Sequence, residues 1–175
     1  MRVFVTGTGR CGTVSFREAC EFMDNYTAGH ETLCGFLDYP DNHIEVNPQF
    51  RVCISALIQK YPDALFVHLY RSRESCVQSL VALSGGAVMR AYYVLHPSVM
   101  RSGSLRDVAG CYYDFETRLI DMQIDKAEQH RKYRLEDWRI WWPEFWKAVN
   151  ATGNYKASYE SWKTPRNTRQ ERGEQ

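Results

Sequence analysis

The 175-residue chain has no run of about 18 consecutive apolar residues, the length a helix needs to cross a bilayer, so no membrane span is expected. It has no Cys-x-x-Cys pair either. Its six cysteines (Cys11, Cys20, Cys34, Cys53, Cys76, Cys111) are scattered with no clustered histidine, which argues against a zinc site and against a disulfide framework. Most are expected to be reduced core thiols. Net charge is also scarce: at +1, no whole-molecule field draws the chain to nucleic acid or to a membrane, so anion recognition has to be local. An export signal is not legible, because Thr6 and the Gly-Thr-Gly-Arg after it interrupt the apolar start at Val3; the cytoplasm is the expected location. There is no internal repeat.

What is present is an ordinary globular composition, 44% hydrophobic and 25% charged, at a length that suits one self-sufficient domain spanning residues 1–175. Residues 161–175 are polar and carry Lys163, Arg166, Arg169 and Arg172, the composition of a frayed, flexible terminus.

Periodicity organises the rest. Residues 2–6 form a β-branched apolar run that stops at glycines, and residues 13–25 repeat apolar side chains at helical spacing, giving strand, glycine loop, helix. Residues 26–29 make a short second strand; 32–48 read as irregular around the turn signal Pro40-Asp41-Asn42. A helix over 50–61 ends at Pro62-Asp63, and the continuous apolar run 64–70 is the pattern of a strand buried on both faces. Helices follow at 72–84, closed by Gly85-Gly86, and at 105–132, beyond the uncertain stretch around His96-Pro97. A short strand at 133–135 precedes a Trp-rich helix at 137–149. Strands alternating with helices predict an α/β fold: a three-layer, P-loop-NTPase-like domain whose mostly parallel central sheet is flanked by helices.

Gly7-Thr8-Gly9-Arg10-Cys11-Gly12-Thr13 lies between the first strand and the first helix, where backbone amides and a helix N-terminus make a cradle for phosphate. Gly7 and Gly12 have the separation of the nucleoside-triphosphate loop G-x-x-x-x-G-K-[ST], but Thr13 stands where the lysine belongs and Val14 where the magnesium-binding hydroxyl belongs. A dinucleotide reading of the same glycines lacks a second strand ending in an acidic residue about 20 positions on. Downstream, Phe66-Val67-His68-Leu69-Tyr70-Arg71 brings an arginine to the carboxyl end of a buried strand, where open α/β sheets bind ligands, and Ser79 follows eight residues later. Arg71 alone reads equally as half of a surface ion pair.

Taken together, Gly9-Arg10-Cys11-Gly12-Thr13, the Arg71 and Ser79 pair, and Tyr133-Arg134-Leu135-Glu136-Asp137 resemble, in order, the three signatures of sulfotransferases that use 3'-phosphoadenosine-5'-phosphosulfate (PAPS). The resemblance is to a small bacterial or phage-type member and runs from Arg2 to about Asp137, carried by short motifs. It implies that Gly9 to Val14 hold the 5'-phosphosulfate, that Arg10 contacts the sulfuryl group and leaving phosphate, and that Arg71 and Ser79 hold the 3'-phosphate. Gly29-His30-Glu31-Thr32 is similar to the Gly-Glu-Glu-Thr of tyrosylprotein sulfotransferases, which makes His30 and Glu31 the candidate bases. Intrinsic chemistry favours His30, whose ordinary pKa near 6.5 suits neutral pH; the family match favours Glu31. Leu135 replaces the family's usual tyrosine and Ser15 its adenine-stacking tryptophan, so the adenine contact is undefined. The implied product is 3',5'-adenosine bisphosphate, and the acceptor a small molecule, carbohydrate or peptide bearing a hydroxyl or amine, with no metal required. A nucleotide kinase and a non-catalytic nucleotide-binding module remain the alternatives. The exposed-looking Tyr92, Tyr93, Tyr112 and Tyr113 and the cluster Trp138, Trp141, Trp142 and Trp146 are candidates to line a sugar or aromatic pocket, but their helical spacing favours core.

Overall fold

Val-Phe-Val-Thr at residues 3–6 is buried at every position, which requires cover on both faces, and helices packed on either side of the sheet supply it. In the computed structural model, residues 1–32, 37–83, 92, 94 and 103–164 are described. The Gly85-Gly86 helix stop, His96-Pro97, Cys34, Tyr93 and the tail arginines Arg166, Arg169 and Arg172 lie outside them.

The chain runs β1 (Val3–Thr6), α1 (Thr13–Cys20), β2 (Thr27–His30), β3 (His43–Val46), a 3-10 turn (Pro48–Val52), α2 (Ile54–Lys60), β4 (Leu65–Tyr70) and α3 (Arg73–Ala82). It continues through α4 (Leu105–Ile124), β5 (Gln129–Arg134), a second 3-10 turn (Leu135–Asp137), α5 (Trp138–Ala148) and α6 (Tyr155–Ser161). The sheet order is β2-β3-β1-β4-β5 and every pairing is parallel, the expected α/β architecture. With β3 on one side of β1 and β4 on the other, the strand order reverses at β1, the position where open sheets of this kind bind ligands.

Alternation along β1 and β4 feeds two cores. Val3, Val5, Val67 and Leu69 face α1, α5 and α6, meeting Phe16, Trp141, Trp142, Phe145 and Trp162; Phe4 and Phe66 face Phe50, Ile54, Leu57, Ile120 and Ile124 on the other side. A third cluster joins α3 to α4 through Cys76, Val77, Leu80, Val108 and Tyr112. Trp138, Trp141 and Trp142 are core, as their spacing predicts, and Phe16 lies among them, its ring 4.9 Å from Phe145 and 5.3 Å from Trp142.

Four expectations are corrected. Residues 43–46 form a strand inside the stretch read as irregular; only four residues long, it alternates Ile44 and Val46 with His43 and Glu45, two polar groups that satisfy one another. The helix expected over 105–132 stops at Ile124, because Gln129-His-Arg-Lys-Tyr-Arg134 is an edge strand burying only Tyr133, and a charged edge carries no apolar alternation to read. The first helix ends at Cys20 rather than 25, since Met23 pairs with Gly153 and the Asp24 amide donates to the Thr152 carbonyl. Trp162, assigned by composition to the tail, is 6% exposed and stacks on Trp138. Of the cysteines, Cys11, Cys20 and Cys76 are buried, whereas Cys111 is exposed. No helix among the described residues is long and apolar enough to cross a membrane.

A polar bridge ties β4, α4 and β5 together. His68, in register with Lys132 across the sheet, is 1% exposed; its Nδ1 lies 2.9 Å from Asp121 Oδ1, and Lys132 Nζ reaches the same oxygen at 3.1 Å. The hydrogen bond from His68 holds the Asp121 carboxyl below its ordinary range, against its partial burial and with help from Lys132. A carboxylate with a depressed folded pKa stabilises the fold above its unfolded value and loses that contribution as pH falls through the folded one. Asp121→Asn should therefore cost roughly 1 kcal/mol at pH 7, after allowance for a half-exposed carboxylate. Urea unfolding should show that difference closing in acid; a difference that persists unchanged to pH 3 contradicts the assignment.

Candidate functional site

The exit of β1 is set by a close approach. A methyl group on Gly7 would lie 2.2 Å from the Leu69 carbonyl oxygen and 2.4 Å from Cys11 Sγ, so only glycine lets the chain leave the sheet there. Gly9, Arg10 and Gly12 then take left-handed backbone angles (φ 71°, 58° and 89°), curling the loop into the N-terminus of α1. The Cys11 sulfur fills the interior of that curl. Burial, reinforced by Cys76, pushes its thiol up to about 12 although the amides of Gly9, Cys11 and Thr8 point at it, so it is a protonated packing group at neutral pH. Those amides line the inside of the loop. The first-turn amides of α1 project from the helix end, and Gly12, the N-cap, has no side chain to cap them. Neither Gly12 nor Thr13 takes part in strand pairing, and Val14 has only its main chain to offer an anion.

Of the second expected site, Ser79 meets the loop and Arg71 turns to Glu136. Arg71 directly follows β4, and Ser72 caps α3 by accepting the Ser75 amide. Ser72, Ser75, Cys76 and Ser79 share the face of α3 that looks at the loop: Cys76 Sγ lies 3.7 Å from the Gly9 carbonyl oxygen and 3.6 Å from Thr8 Oγ1. Arg10 Nε donates to Ser79 Oγ at 3.0 Å, a bond between residues 69 apart in sequence. Sequence reasoning selected both residues but did not pair them. The helical spacing 72, 75, 76, 79 was the available signal for Ser75 and Cys76.

Tyr112 and Tyr113 are buried, the core reading their helical spacing favoured, and they act as braces. Their hydroxyls donate at 2.6 Å to the carbonyls of Thr8 and Arg71, so adjacent residues of α4 pin both loops. Tyr92 is buried against Tyr112.

The Leu135-Glu136-Asp137 turn closes the edge from β5. Leu135 covers Gly12, where a methyl group would lie 2.6 Å from Leu135 Cδ1. Glu136 Oε1 accepts the Ser72 amide at 3.0 Å and Oε2 accepts Arg134 Nε at 3.2 Å; Arg71 Nε stands 4.0 Å from Oε1. Burial pulls the Glu136 carboxyl upward, but the Ser72 amide, its own amide and Arg134 outweigh that and hold it below the ordinary range. It is an anion at neutral pH.

His30 ends β2 and is half-buried on the α1 side, its Nε2 3.2 Å from Thr13 Oγ1. Burial lowers its pKa from 6.5, with Glu31 and Glu45 opposing and Arg17 assisting, so it is neutral at pH 7 and able to accept a proton. Glu31 turns at φ 55° with its amide bonded to the Val46 carbonyl and its side chain exposed. The outer members of the Gly29-His30-Glu31-Thr32 segment serve a different residue. Fully buried Glu45 accepts the Thr32 amide at 2.7 Å and lies 3.0 Å from His43 Nε2, while any side chain at Gly29 would strike its Oε2. Gly29 and Thr32 thus accommodate a buried carboxylate, and of the segment's residues only His30 reaches the loop.

No protein-family model matches the chain, and no curated protein does. Among solved structures, a sulfotransferase from Alicyclobacillus acidocaldarius is similar over 95% of this chain and 82% of its own, with a TM-score of 0.46 and 13% sequence identity. At that distance the functional reading rests on the geometry of the site itself.

Proposed function

We propose that the chain transfers a sulfuryl group from PAPS to a hydroxyl or amine acceptor. The observation that carries this reading is the Arg10 to Ser79 hydrogen bond, which ties the glycine loop ahead of α1 to α3, the helix that follows Arg71, and so supports reading the two candidate anion-binding elements as one site. A donor with a phosphosulfate at one end and a 3'-phosphate at the other matches such a pair. A magnesium-bound triphosphate does not, because Thr13 and Val14 offer neither the lysine nor the metal-binding hydroxyl of a kinase loop.

In this reading the first-turn amides of α1 and Arg10 hold the 5'-phosphosulfate, and Arg71 with Ser79 holds the 3'-phosphate. The acceptor oxygen or nitrogen forms its bond to sulfur as the bond from sulfur to the phosphate oxygen breaks. His30 Nε2 takes the acceptor's proton, and Arg10 steadies the charge that develops on the leaving phosphate of 3',5'-adenosine bisphosphate. His30 is preferred to Glu31 because it reaches Thr13 and is neutral at pH 7, whereas Glu31 is exposed.

Arg71→Ala should weaken binding of the bisphosphate by at least about 1.5 kcal/mol, roughly tenfold, while leaving adenosine 5'-phosphosulfate, which lacks the 3'-phosphate, nearly unaffected. Equal weakening of both ligands would remove Arg71 from the 3'-phosphate. For the base, His30→Gln should slow transfer by about 10² to 10⁴ with donor binding retained. The wild-type pH–rate profile should rise through an inflection below 6.5, the direction in which burial shifts His30. Loss of that inflection in Glu31→Gln but not in His30→Gln would assign the proton to the carboxylate. Bisphosphate binding without transfer to any hydroxyl or amine acceptor would instead mark a binding module.

A further inference from the structure

The Arg71 site already holds an anion, and it belongs to the protein. Glu136 takes the Ser72 amide at 3.0 Å through one oxygen and Arg134 Nε at 3.2 Å through the other. Arg71 Nε, buried and without a hydrogen-bond partner among the described residues, stands 4.0 Å from the first oxygen. Ser72 caps α3, so the carboxylate also sits at the positive end of a ten-residue helix. Two guanidinium groups, a main-chain amide and a helix end are a donor set suited to a phosphate oxygen. A phosphate arriving at Arg71 meets a like charge in a partly desolvated corner, and the two anions cannot both keep these donors.

We propose that Glu136 is a specificity-determining residue of this site: its carboxylate is the resident anion, and a ligand's 3'-phosphate binds by displacing it from Arg71 and the Ser72 amide. This rests on the reading of Arg71 as the 3'-phosphate residue. Affinity for the phosphorylated end of the ligand is then set below what the cations alone would give, and the carboxylate's return to Arg71 assists departure of the bisphosphate product. The opposing possibility is that Glu136 is a splint that aims Arg71 at the phosphate, in which case removing its charge would loosen binding.

Glu136→Gln separates the two, since glutamine keeps the shape and an oxygen for the Ser72 amide but loses the charge. Calorimetry on the full chain should show adenosine 3',5'-bisphosphate binding about tenfold more tightly to Glu136→Gln than to wild type, with adenosine 5'-monophosphate changed by less than about twofold. Bisphosphate binding that depends on Arg71 but is unchanged or weaker in Glu136→Gln overturns the displacement proposal and leaves the Arg71 reading intact. Wild type and variant that both bind the two nucleotides equally, with no response to Arg71→Ala, overturn the Arg71 reading and the proposal with it.

Discussion

The passage of β1 over the Leu69 carbonyl is the constraint on which the carboxyl edge depends. Because Gly7 has no side chain, the chain clears β4 and curls around the Cys11 sulfur, and α1 starts from Gly12, an N-cap with no side chain, at the point where the strand order reverses. Any larger residue at Gly7 would push the loop off β4 and part the two halves of the site. α4 reinforces the same arrangement through two adjacent tyrosine hydroxyls, one on the Thr8 carbonyl and one on the Arg71 carbonyl, so loop and strand end are held by one rigid element.

Beneath this edge, the aromatic core fixes where α1 can lie. Phe16, seated among Trp141, Trp142, Phe145 and Trp162, locks α1 against α5, and Leu135 at the head of that segment covers Gly12. Packing and site are thus coupled through α1: the helix that buries Phe16 also presents Thr13 to His30. Electrostatics work in the same small volume. The neutral imidazole of His30 lies on the β2 side, and the Arg71, Glu136 and Arg134 group on the β5 side, with Arg10 tied to α3 between loop and helix.

Much of this was legible in the sequence, and the parts that were not share a cause. β1, β4 and α1 announced themselves because burial on one or two faces leaves a plain periodicity in Val, Phe and Leu positions. β3 hid, and β5 was read only at its end, because their polar residues find polar partners: His43 in Glu45, Lys132 in Asp121 of α4, Arg134 in Glu136 of the following turn. A pairing of that kind has no apolar signature. The candidate residues Arg10, Thr13, Arg71 and Ser79 were selected by short motifs and the family resemblance they carry, whereas the contacts of Arg10 with Ser79 and of Glu136 with Ser72 join residues 69 and 64 apart. Glu31 illustrates the limit of motif matching: two of its neighbours in the segment answer to the buried Glu45, which no local pattern marks.

Wild-type binding selectivity tests most directly the proposal that the switch point of this sheet takes a nucleotide phosphorylated at both its 3' and 5' positions. Isothermal calorimetry of the unmodified chain with adenosine 3',5'-bisphosphate and with ATP in the presence of magnesium should give tighter binding of the bisphosphate, unaffected by removal of magnesium. Tighter binding of magnesium-ATP would contradict the account and make the loop a triphosphate site.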